Sequence, residues 1–154
     1  MLGIAMGTLV NGLSAFLVPL EDHFGWERAE VAAINSFGLI GIALGGILMG
    51  LIADRVAIRT VCLFGAGSLS LALVLAAYAH SLWHFYALFF AAGALGGGAL
   101  FAPLIAHVGR WFKTGAGLAI GIASAGQALG QGMVPYIAGY LIQVSGWSSA
   151  LTIL

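Results

Sequence analysis

The apolar run Val31 to Ala53 stops abruptly at Asp54 and Arg55, and a second apolar run begins at Val61. Between them lies one short stretch, GLIADRVAIR, from Gly50 to Arg59. Two very hydrophobic segments joined by one acid and two bases make a poor hairpin in water. In a bilayer the same pattern is a tight turn between two spanning helices, with its charges held at the surface.

Composition supports the bilayer. Hydrophobic residues make up 62% of the chain and charged residues 6%, against about 45–50% and about 25% in a soluble domain. A soluble fold of 154 residues has too little interior to hide that much apolar surface. Lipid must be the solvent for most of it. The net charge is zero, so nothing points to nucleic acid. The single Cys62 sits inside an apolar run and reads as a small buried side chain.

Read in order, the chain holds five apolar segments and the start of a sixth. Leu2 to Leu20 is apolar apart from Thr8, Asn11 and Ser14. At about 1.5 Å per residue it reaches across a hydrocarbon core about 30 Å thick. No basic residue precedes it and no small-residue cleavage site follows, so it is expected to be a span and not a secretory signal. Glu21 to Glu30 carries four acids and one base and is expected to form a surface loop. The second span is expected at 31–53, the third at 60–79, the fourth at 83–108 and the fifth at 115–143. Ala150 to Leu154 begins a sixth span that these residues do not complete. Helices are expected throughout, because an open sheet edge cannot be satisfied in hydrocarbon. Phe24, Trp26, Trp83, Trp111, Phe112 and Trp147 gather near the proposed ends, as an interfacial belt would.

The basic residues set an orientation. Arg55, Arg59, Arg110 and Lys113 fall after the second and fourth spans, and only Arg28 falls in the other turns. This places the even-numbered turns and the N-terminus in the cytoplasm. The outer turns then hold His23, His80 and His84, which lack the convergent spacing of metal ligands. No metal site and no cofactor are expected. No acid or base lies centrally in a complete span. His107 near the end of the fourth reads as an interfacial side chain.

Glycine is the next signal, at 24 of 154 residues. The pairs Gly41/Gly45, Gly46/Gly50, Gly93/Gly97, Gly117/Gly121 and Gly126/Gly130 are each four apart. Such pairs let helix backbones approach closely, either as fixed packing faces or as faces that slide. The run Gly96, Gly97, Gly98 weakens the fourth helix near its middle, as a flexible point or a crossing point.

Polar side chains at mid-membrane are costly. Ser124, Gln127 and Gln131 share one face of the fifth span, and Asn11 sits near the middle of the first. They either hydrogen-bond between helices or line a central polar path, where transporter sites lie.

The turn Gly50 to Arg59 resembles the loop signature of the major facilitator superfamily: Gly, three residues, Asp, a base, any residue, Gly, then two bases. Gly50, Asp54, Arg55 and Arg59 match, while Ala57 and Ile58 depart from it. VPLEDHFGWERAEV and the stretch from Gly109 to Ile142 are similar to the monocarboxylate-porter and oxalate–formate-antiporter branch. In the latter stretch Arg110, Trp111, Phe112, Gly117, Leu118, Ala119, Gly121, Gly126 and Gly130 match, and Ala116 replaces a base.

The resemblance implies an all-α membrane protein, the N-terminal six-helix bundle of a major-facilitator fold with its sixth helix truncated. It implies a partial transporter of a small solute, an organic anion such as a monocarboxylate, working by alternating access. Its partners would be the solute, the bilayer of the cell membrane and the missing C-terminal six-helix half. Gly50, Asp54, Arg55, Arg59 and Arg110 would form the cytoplasmic gating motif, with Asp54 and Arg55 latching the two halves. Asn11, Ser124, Gln127 and Gln131 would line the substrate path. Two other readings stay open. One is a non-transporting membrane scaffold or subunit. The other is an intramembrane serine protease with Ser124 as nucleophile, although all four histidines precede Ser124 and none offers a base on a later helix.

Overall fold

A computed structural model describes residues 6–12, 15–16, 21, 25–79, 81–112 and 115–153. Ser14, Asp22, His23, Phe24, His80, Lys113 and Leu154 lie outside the described residues, as does part of the expected first span. A π-helical segment, π1, covers Gly7–Gly12. It is followed by α1 (Arg28–Ala53), α2 (Ile58–Ala77), α3 (Leu82–Ala91), π2 (Ala92–Gly97), α4 (Gly98–Trp111), α5 (Ala116–Ser145) and α6 (Trp147–Ile153). The protein is all-α, and α3, π2 and α4 run on as one rod of 30 residues.

Helix ends follow local chemistry. α1 begins at Arg28, inside the stretch expected to be loop, because the Glu30 carboxylate accepts a hydrogen bond from the Glu27 backbone N–H at 3.1 Å. That contact satisfies an amide the helix start leaves open. α1 stops at Asp54, and a four-residue turn leads into α2. α5 lies between two glycines of positive φ, Gly115 at 76° and Gly146 at 79°, conformations that cost other residues a steric clash. α6 therefore starts at Trp147 rather than at Ala150.

Among the described residues, three stretches are long and apolar enough to cross a membrane: Arg28–Ala53, Ile58–Ala77 and Leu82–Trp111. α5 has 30 residues and length to spare, but it is not among them, since glutamine and glycine dilute its apolar content. Large apolar side chains face outward all around, among them Ile47, Leu63, Leu118 and Leu129, each at least 60% exposed. Water would make that surface expensive; lipid does not.

The core sits where the rod of α3, π2 and α4 meets α1 and α2. Phe85, Phe89, Leu100, Val31, Ile34 and Leu73 are all buried there. Glycine sets how closely the rods approach. Gly41 and Gly45 of α1 press on the backbone of Phe90 and Ala94, and Gly93 presses on Gly38. A Cβ on Gly98 would lie 2.5 Å from the carbonyl carbon of Gly45. On the other side, a Cβ on Gly65 of α2 would lie 2.8 Å from that of Ala99. The Gly41/Gly45 face is thus packed inside this chain, against the rod of α3 and π2. On α5 the opposite holds: a methyl group added at Gly117, Gly121 or Gly126 would meet nothing within 4 Å among the described residues.

The run Gly96, Gly97, Gly98 is a crossing point. It straddles the end of π2, whose wide turns the absence of side chains permits. A Cβ on Gly97 would lie 2.9 Å from Leu9 of π1 and 2.7 Å from Ile42 of α1. The two π-helical segments therefore meet near the middle of the bundle.

Candidate functional site

At the end of the bundle where α1 and α4 both finish, Asp54 and Arg110 come together. The Arg110 Nη2 donates to the Asp54 Oδ1 at 2.7 Å, and the two side chains are 54% (Asp54) and 70% (Arg110) exposed. An exposed pair of this kind contributes about 0.2–1 kcal/mol. Its placement has a clear electrostatic cause. Both helices present C-terminal, negative dipole ends here, which disfavour the Asp54 carboxylate and favour a cation. Arg110 lies in the last turn of α4 and offsets both ends at once. Beside the pair is a cavity of about 200 Å³ lined by Gly50, Ala53, Asp54, Pro103, His107 and Arg110, among others. His107 is exposed on its wall, with its ring 5.8 Å from that of Trp111. Arg55 and Arg59 are exposed on the turn and at the start of α2. Of the five residues of the expected gating motif, the structure brings Gly50, Asp54 and Arg110 to one cavity and leaves Arg55 and Arg59 on the surface beside it.

The polar face of α5 lies elsewhere. Ser124 is exposed, and Gln127 and Gln131 are half-buried. Asn11 is half-buried on π1, and its Nδ2 donates to the backbone oxygen of Gln131 at 3.4 Å. The structure thus joins Asn11 to α5 through the main chain of Gln131. This contact lies where π1 crosses α5: a Cβ on Gly7 would fall 2.5 Å from the Gly130 oxygen and 2.6 Å from a Val134 methyl.

A charged turn that pairs across two apolar helices, beside a helix with a polar face, invites comparison with known proteins. The Major Facilitator Superfamily profile matches residues 1–154. The chain belongs to the major facilitator superfamily. It is 32% identical to "Monocarboxylate transporter 12-B" of Danio rerio over 142 residues, which is 92% of this chain and 30% of that protein. It is 29% identical to "Monocarboxylate transporter 12" of Homo sapiens over 92% of this chain and 28% of that one. It is 27% identical to "Monocarboxylate transporter 11" of Mus musculus over 99% of this chain and 34% of that one. The chain spans about a third of the length of these relatives.

Membership in the superfamily makes this a membrane protein of a transporter family, and it agrees with the helical architecture. Two features of this superfamily chain are not evident from its sequence. The Asp54–Arg110 pair joins residues 56 apart; its signal was two opposite charges at ends of spans that finish on the same side. Asn35, within α1, has an Oδ1 that is buried with no hydrogen-bond partner among the described residues; its signal was an amide inside an apolar run.

Proposed function

We propose that this chain forms the N-terminal bundle of a secondary transporter that moves a small organic anion, such as a monocarboxylate, by alternating access. The observation that carries the substrate class is the similarity over 92% of the chain to proteins named monocarboxylate transporters. The coverage of about a third of those relatives supports a working unit with a second bundle. The glycine face of α5, with Gly117, Gly121 and Gly126 unopposed among the described residues, supplies a surface on which such a bundle would pack.

In this reading Ser124, Gln127 and Gln131 line the path beside Asn11 and offer hydrogen bonds at mid-membrane depth. An anion's charge is met by groups of the second bundle, because no cation lies centrally in the spans of this one. The turn Gly50 to Arg59 is the gate on the cytoplasmic side, and the protein sits in the cell membrane with its N-terminus inside. The Asp54–Arg110 pair holds that gate weakly. A contact of about 0.2–1 kcal/mol can bias two conformations without freezing either.

The test is a chimera in which this chain replaces the matched segment of the Danio rerio relative. Uptake of radiolabelled lactate should be competed by other monocarboxylates and not by a neutral sugar. Gln127→Leu should lower uptake more than it lowers abundance in the membrane. Competition by the sugar alone, or loss of uptake only in step with abundance, would contradict the proposal.

A further inference from the structure

Pro135 lies inside α5, which continues without interruption to Ser145. Proline has no N–H, so the carbonyl four residues earlier loses its helical donor, and the ring pushes that carbonyl away from the helix axis. Four residues before Pro135 is Gln131. Its carbonyl is the one that accepts the Asn11 Nδ2 at 3.4 Å. In hydrocarbon an unsatisfied backbone group is costly, and a neighbouring helix that supplies a donor removes that cost.

We propose that Asn11 supplies the hydrogen bond that Pro135 takes from Gln131, fastening the first helix to α5 at a defect in α5. The surrounding packing fits this role. Gly7, one turn before Asn11, leaves room for the Gly130 oxygen and the Val134 side chain. Val134, next to the proline, is buried. The close approach brings the Asn11 amide to the carbonyl whose helical donor the proline removes. Asn11 then answers a proline 124 positions away. Losses of function on replacing it come through the joint between the two helices. The bond lies within the bundle and does not depend on which solute, if any, the bundle moves.

A double-mutant cycle on the purified 154-residue chain in detergent tests it. Asn11→Leu keeps the branching and heavy-atom count of the side chain and removes the donor. Pro135→Ala returns an N–H to position 135, so Gln131 regains a partner within its helix. In the parent chain Asn11→Leu should lower the unfolding temperature by roughly 2–4 °C, the shift a lost hydrogen bond produces at this size. In the Pro135→Ala background the same substitution should cost less than about half of that. Pro135→Leu, which also restores the N–H, should reproduce the suppression and guards against a peculiarity of one background. Equal losses in proline and non-proline backgrounds, or no loss in the parent chain, overturn the proposal.

Discussion

Adding one methyl group at Gly98 and one at Gly126 should move stability in opposite directions. Both glycines lie in helices, so in isolation each change to alanine favours the helix by about 0.5–1 kcal/mol. Their surroundings differ. At Gly98 the new Cβ would lie 2.5 Å from the Gly45 carbonyl carbon and 2.6 Å from the Gly46 nitrogen. Ordinary carbon contacts lie at about 3.5–4.0 Å, so α1 and α4 would have to part by about 1 Å at their crossing. Overpacking costs about 1–3 kcal/mol, and the obstructing atoms here are backbone, which cannot rotate away. Taking the upper end and subtracting the helical gain leaves a net loss of about 2 kcal/mol. At Gly126 nothing among the described residues lies within 4 Å, and the gain of about 0.5–1 kcal/mol stands alone. A chain of this size shifts by about 2–4 °C per kcal/mol. Thermal unfolding of the purified chain in detergent, followed by tryptophan fluorescence, should show Gly98→Ala lower by roughly 4–8 °C. Gly126→Ala should match the parent or exceed it by a few degrees. A Gly98→Ala chain as stable as the parent, or a Gly126→Ala chain clearly less stable, would refute the division of glycines into packed and open faces.

Replacing either partner of the charged pair should have unequal effects. Arg110→Gln leaves the Asp54 carboxylate at two negative helix ends and should destabilise by up to about 1 kcal/mol, whereas Asp54→Asn should be near neutral; equal losses in denaturation of the two variants would contradict the dipole argument. Single cysteines at His84 and at Arg59, in a Cys62→Ser background, should be labelled from opposite faces of intact cells by an impermeant reagent, and labelling of both from outside would refute the proposed orientation.

The helices were legible because lipid imposes a simple rule: long apolar runs, interrupted only where charges reach the surface. Their ends were less so. α1 starts at Arg28 because a Glu30 carboxylate caps a backbone amide, a local contact that hydropathy overlooks. The glycine spacing marked the close approach on α1 but not its partner. Gly41 and Gly45 meet α3 and π2, while the same spacing at Gly117 and Gly121 meets nothing among the described residues. Spacing describes a groove, and only the fold says what fills it. The wide turns of π1 and π2 had no signature beyond glycine and small residues, since they arise where several helices converge. Of the candidate site, the identity of Asp54, Arg110 and Asn11 as unusual residues was visible in the sequence. Their partners were not, because each bond closes a loop of 56 or 120 residues that only tertiary packing brings together.

If the proposed function is right, this chain moves a solute only together with a second bundle. Lactate uptake decides the matter, measured in proteoliposomes holding either the 154-residue chain or the chimera that joins it to the remainder of the Danio rerio relative. Uptake should be saturable with the chimera and no higher than in empty liposomes with the chain alone. Saturable uptake by the chain alone, or none by a chimera that is folded and correctly inserted, would contradict the need for two bundles.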